Sequence, residues 1–130
     1  MELDEKAYSL RCKILGEEHP DTLISLNNLA LTYGKIGDDQ KDLELNEKAY
    51  SLSCKILGEE HPDTLTALNN LASTYIDIGD FQKALELTEL AYSLRSKILG
   101  EEHPDTLMSL NNLASSYGNV GDYQKQLDLN

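Results

Sequence analysis

The string Gly16-Glu17-Glu18-His19-Pro20-Asp21-Thr22-Leu23 returns unchanged as Gly58 to Leu65 and as Gly100 to Leu107, each copy 42 residues after the last. A period of that length marks an internal repeat, and a repeated supersecondary unit buries its apolar face by stacking on its neighbours. Working outward from the three strings predicts one repeat array over 1–130: a partial repeat at 1–15, full repeats at 16–57 and 58–99, and a truncated repeat at 100–130. In such a stack the chemistry has to be sought on the surface.

Within a repeat, periodicity separates two helices. Leu23, Leu26, Leu29, Ala30, Tyr33 and Ile36 recur at steps of three and four, which projects them onto one stripe of a helix over Thr22–Ile36. His-Pro-Asp-Thr opens this helix A: proline suits the first turn, and Asp or Thr is expected to cap the free amides. Gly37-Asp38 closes it, since glycine reaches the left-handed conformation at low cost. Helix B, expected over Gln40–Leu57, carries two apolar stripes, Leu45, Ala49, Leu52 and Ile56 on one side and Leu43, Tyr50 and Leu57 on another. Glu44, Glu47, Lys48, Ser51 and Lys55 form its polar sector. A helix wet on one side only is expected to be sandwiched between two others. Carried along the chain, the pattern predicts seven helical segments, with partial helices B at both ends.

Composition narrows the function classes. Twenty-three acidic against 11 basic residues give a formal net charge of −12, which repels phosphate backbones and argues against nucleic-acid or anionic-membrane partners. No apolar run approaches a spanning helix and the start, Met-Glu-Leu-Asp-Glu-Lys, lacks the regions of a signal peptide, so a soluble, cytoplasmic chain is expected. Cys12 and Cys54 occupy equivalent positions, where stacked helices hold them too far apart for a disulfide, and they read as reduced thiols. His19, His61 and His103 recur once per repeat, too widely spaced to share a metal ion. With no Ser/His/Asp set and no glycine-rich phosphate loop, the expectation is no catalysis, no metal and no cofactor.

Paired helices with Leu26, Leu29-Ala30, Tyr33, Gly37 and Ala49 at these separations resemble the tetratricopeptide repeat. The unit here is longer than that family's usual 34 residues. Its Leu-Asn-Asn-Leu-Ala segment, preceded by Glu-Glu-His-Pro-Asp-Thr, is similar to the repeats of kinesin light chains and of bacterial regulatory and sensor proteins. Where the family favours a small alanine at the start of helix B this chain has Asp42, Ala84 and Gln126, and where it favours an aromatic in the turn it has Asp39, Phe81 and Tyr123, so the middle repeat fits best and the first departs at both places. A looser turn or shifted helix is therefore expected around residues 38–42.

The resemblance implies an all-α, right-handed superhelical solenoid of antiparallel helix pairs, whose concave groove is lined by helices A and takes an extended peptide or partner helix. Transferred by motif, the groove positions are Ile24, Asn27, Asn28, Leu31, Gly34 and Lys35; then Thr66, Asn69, Asn70, Ser73, Ile76 and Asp77; then Met108, Asn111, Asn112, Ser115, Gly118 and Asn119. A carboxamide both donates and accepts, so the asparagines can match peptide groups of a ligand. Alternatively Asn27, Asn69 and Asn111 tie neighbouring helices together. About three quarters of positions agree between the two full repeats, and helix A differences cluster at groove positions, either to select a ligand or through surface drift. Lys35 is the only cation among these positions, so recognition of a C-terminal carboxylate is not expected. Acidic pairs at Glu17-Glu18, Glu59-Glu60 and Glu101-Glu102 offer an edge to a basic partner or are simply solvated.

The alternative function is head-to-tail self-association. Leu3, Ala7, Leu10 and Ile14 near one end and Leu110, Leu113, Tyr117 and Leu127 near the other look like interior repeat residues rather than polar caps.

Overall fold

A computed structural model describes residues 2–129, with the side chains of residues 2, 123 and 124 outside that description. Met1 and Asn130, at the limits of the expected array, and the Tyr123 side chain therefore lie outside the described residues. Seven helices are present among the described residues: α1 (Glu2–Leu15), α2 (Pro20–Lys35), α3 (Asp39–Leu57), α4 (Pro62–Asp77), α5 (Phe81–Leu99), α6 (Pro104–Asn119) and α7 (Tyr123–Leu129). Helices A are α2, α4 and α6. The chain divides into two compact units, Met1–Ala67 and Leu68–Asn130.

In the first unit α2 packs against both α1 and α3. Its stripe supplies Leu23, Leu26, Leu29 and Ala30 to the interior, together with Ala49 of α3. Leu26 is wholly enclosed, a burial that contributes about 2–3 kcal/mol. In the second unit α6 packs against α5 and α7, and Leu71, Ala72, Ala84, Leu85, Ala91, Leu113 and Ala114 are buried.

The helix ends explain why the connecting string is invariant. His19 caps α2, its Nδ1 accepting from the Asp21 amide at 3.1 Å, and His61 and His103 repeat the bond to Asp63 and Asp105 at 3.0 Å. The expected Asp or Thr cap is thus replaced by the imidazole. This leaves the threonine hydroxyl free to bond elsewhere. Thr22 Oγ1 donates to the Gly16 carbonyl at 2.7 Å, and Thr64 and Thr106 donate to the carbonyls of Ser53 and Arg95 at 3.2 Å. Each stitches the start of a helix A to the preceding helix B or its capping glycine, and all three threonines are buried. At the other end Gly37 has φ of +86°, and the Asp38 and Gly37 amides donate to Tyr33 and Gly34, closing α2 in a Schellman motif. Ile36, expected on the buried stripe, is instead the exposed C-cap residue, because the helix has ended before it can turn inward.

No loosened turn exists around residues 38–42. Asp38 caps α3 by accepting from the Lys41 amide at 3.2 Å, with φ and ψ of −86° and 75°. Asp80 does the same for α5 at −87° and 74°. The departure at Asp42 is absorbed inside the helix pair. Asp42 is buried, receives the Asn46 side-chain amide, and lies against Gly34, where a β-carbon would meet its Oδ2 at 2.7 Å. In the middle repeat the sizes are exchanged, with Ile76 on helix A and Ala84 on helix B; in the last, Gly118 faces Gln126. At 34 and 118 the glycine on helix A is thus matched to the longer side chain that faces it from helix B.

Candidate functional site

The helix A positions read as groove-lining fall into two groups. Asn28, Leu31, Lys35, Asn70, Ser73, Asp77, Asn111, Asn112, Ser115 and Asn119 are exposed, as are Ile24, Thr66 and Met108. Asn27, Asn69 and Ile76 are half-buried. In the second unit Asn69, Ser73, Ile76, Asn112 and Ser115 line one shallow hollow of about 80 Å³, together with Ala72 and Thr88.

The half-buried asparagines lead to a feature that reading the sequence by single positions misses. Arg95 of α5, only 7% exposed, lies between two helices A. Its Nη1 donates to Ser109 Oγ of α6 at 2.9 Å and reaches the Asp105 carbonyl at 3.4 Å. With the Asn69 carboxamide turned as the hydrogen-bond network requires, its oxygen accepts from Nη1 and Nη2 at 2.7 and 2.9 Å. Asn69 thereby ties α4 to α5. Arg11 of α1 repeats half of this arrangement, donating to Ser25 Oγ at 2.8 Å and to the Asp21 carbonyl at 2.9 Å.

One repeat lacks it. At the equivalent place α3 carries Ser53, and where Ser25 and Ser109 accept from an arginine, α4 carries Ala67. Asn27, the counterpart of Asn69, keeps a buried Oδ1 with no hydrogen-bond partner. Beside it opens a pocket of about 230 Å³ lined by Pro20, Leu23, Ile24, Asn27, Ser53, Leu57, Asp63 and Thr66. The sequence signal is a joint change at 11/53/95 and 25/67/109, two columns that each look like ordinary drift when read alone.

The acidic connection Glu17-Glu18 is engaged rather than bare. Glu17 pairs with Lys48 at 3.0 Å and Glu18 pairs with Lys55. Both pairs are well exposed, so water and salt screen them and they add little to stability. Cys12 and Cys54 are free thiols. The Tyr50 hydroxyl is pushed up to about 12, chiefly by burial and next by its hydrogen bond with the Cys54 thiol. The three histidines serve as helix caps. No group of three metal-ligating side chains is gathered among the described residues, and no helix there is long and apolar enough to cross a membrane.

Of the residues expected at self-associating ends, Leu3, Ala7, Leu10 and Ile14 are exposed on α1, and Leu127 is exposed on α7. Leu110 and Tyr117 are half-buried, and Tyr117 donates its hydroxyl to Glu89 at 2.8 Å, a bond that raises the phenol's pKa. Leu113 does not belong with them: at 6% exposure it is core of the second unit.

Comparison with known proteins settles the class to which this helix pairing belongs. Two family models described as tetratricopeptide repeat match, one over residues 43–97 and 63–125, the other over 1–21 and 22–63. The chain belongs to the tetratricopeptide repeat family. No curated protein matches it. Its repeats are of the kinesin light chain-like kind. Two crystal structures of nearly identical TPR-like repeats, from a Podosopora anserina protein assigned as a kinesin light chain and including a single-residue variant of it, are 36% identical to this chain. Their TM-scores are 0.88 and 0.86. These matches cover 98% of this chain and 60% and 61% of theirs, so the chain spans less than two thirds of the proteins it resembles. The fold is also shared with BtubC (BKLC) from P. vanneervenii, at 24% identity and a TM-score of 0.89, over 98% of this chain and 51% of that one. The protein is an all-α helical repeat protein, of a family that commonly mediates protein–protein interaction and is generally noncatalytic.

Proposed function

We propose that this chain is a noncatalytic interaction scaffold, one repeat array over 1–130, that binds an extended peptide or partner helix against the exposed faces of its helices A. The observation that carries the reading is the exposure of Asn28, Asn70 and Asn112 at one repeated position: each presents a carboxamide able to pair with a ligand's backbone without reading its side chains. Leu31, Ser73 and Ser115, exposed one turn on, supply the unequal side chains that would set direction and preference. Peptides selected from a random library on the intact chain should lose about fivefold in affinity by calorimetry in Asn70→Ala or Asn112→Ala, the scale of one hydrogen bond. Unchanged affinity in both variants removes the asparagines from the mechanism.

A second reading, stacking of copies, is favoured by the α1 face. Leu3, 82% exposed, and Leu10 and Ile14 with it stand at repeat positions whose counterparts on α3, Leu45, Leu52 and Ile56, are half-covered, while Ala49 is fully buried. A second copy presenting a helix A would cover them. Light scattering should then show mass rising with concentration; a constant monomer mass across a wide range defeats this reading.

A further inference from the structure

We infer that the pocket beside Ser53 is a receptor for an arginine side chain supplied by the bound partner. The repeat itself shows what the space accepts. In the other full helix B the corresponding residue is Arg95, whose guanidinium is gripped by Asn69 Oδ1 through both terminal nitrogens and by Ser109. Replacing Arg by Ser at 53 and Ser by Ala at 67 removes a donor and an acceptor together, which by itself leaves nothing unpaired. Asn27 was not changed with them. Its Oδ1 is buried and remains an acceptor without a donor, and the residue lines a cavity of about 230 Å³.

The lining suits the whole side chain. Leu23, Leu57, Ile24 and Pro20 offer apolar walls to the methylene stem, while Asn27 and Asp63 lie where a guanidinium needs acceptors and negative charge. The carbonyls of Asp21 and Asp105, counterparts of Asp63, already accept from Arg11 and Arg95. A planar guanidinium can reach two acceptors from one fork; an ammonium is a point charge with a tighter water shell and fits the same geometry less well. The chain's net charge of −12 draws a basic ligand from a distance. Ile24 and Thr66 place the pocket on the helix A faces of the first unit, so the inference rests on the peptide-binding reading and gives that peptide one anchor.

The test uses the intact chain, labelled with ¹⁵N, titrated with N-acetyl-arginine-N-methylamide and with the lysine and citrulline counterparts. Saturable shifts at the Asn27 side-chain amide and at the backbone amides of Ser53 and Asp63 to Ala67 are expected with the arginine compound, at least about tenfold weaker with the other two. Ser53→Arg should fill the pocket from within and abolish the shifts. Should that variant fail to fold, Asn27→Leu must weaken them by at least about fivefold, because it deletes the orphan acceptor. No saturable shift, equal response to citrulline, shifts centred elsewhere, or binding that survives Ser53→Arg each overturns the arginine receptor. Library-selected peptides separate this from the wider reading: if they bind, weaken with Asn70→Ala, and tolerate Arg→Lys at every position, the scaffold stands and the arginine pocket falls.

Discussion

In the second unit a guanidinium joins Asn69 on α4 to Ser109 on α6; in the first, the same repeat position holds Ser53 beside a pocket and an asparagine oxygen with no donor. The helices around the two places share their lengths and their caps: α3 and α5 each run 19 residues from an aspartate cap to a glycine. What differs is confined to the side chains between them. A repeat scaffold thus keeps its geometry while one interior position changes from a structural tie to an opening, because the threonine stitches and capping bonds hold the helix ends without help from the arginine.

The contrast breaks most visibly when the tie is removed. Arg95→Ser strands both Asn69 Oδ1 and Ser109 and opens a cavity, and it should cost about 3 kcal/mol in urea denaturation. Adding Ser109→Ala recreates the combination found at 53 and 67 and should recover about 1 kcal/mol, since one of the two stranded groups is gone. If Arg95→Ser costs nothing, the guanidinium is not a tie and the contrast between the units loses its energetic meaning.

Much of the architecture is legible in the chain itself. The three-and-four spacing of Leu23, Leu26, Leu29 and Ala30 places α2 to within two residues at its start, because a stripe that must be buried tolerates few substitutions. Ends are less legible. The histidine cap escapes a reading of the sequence since imidazole competes poorly with aspartate and threonine as a general expectation, and only the fold reveals that Thr22 is turned back to the Gly16 carbonyl. The pocket is hidden for a different reason. A cavity is made by what a residue fails to fill, and neither Ser53 nor Ala67 announces an absence unless read together against Arg11, Arg95, Ser25 and Ser109. Gly34 and Asp42 pose the same difficulty: taken singly, one reads as groove variation and the other as a departure in the turn, whereas together they are one packing decision.

That packing decision gives the smaller test of how alike the units are. Alanine in place of a helical glycine stabilises by up to about 1 kcal/mol in a helix interior and by less in the last turn, where Gly34 and Gly118 stand. At Gly34 the new β-carbon would stand 2.7 Å from Asp42 Oδ2, a buried carboxylate on a short side chain held by Asn46, so overpacking of about 2 kcal/mol outweighs the propensity gain and Gly34→Ala should destabilise by at least about 1 kcal/mol. Pairing it with Asp42→Ala approaches the Ile76 and Ala84 solution and should show a favourable coupling in a double-mutant cycle. At Gly118 the nearest atoms, 2.7 to 2.9 Å away, are the terminal amide of Gln126, a longer and half-buried side chain that can swing aside. Gly118→Ala should therefore stay within about 0.5 kcal/mol of the parent, with propensity and displacement nearly cancelling. Equal losses at both glycines would mean that backbone approach, rather than the stiffness of the facing side chain, decides which residue a helix A can carry there.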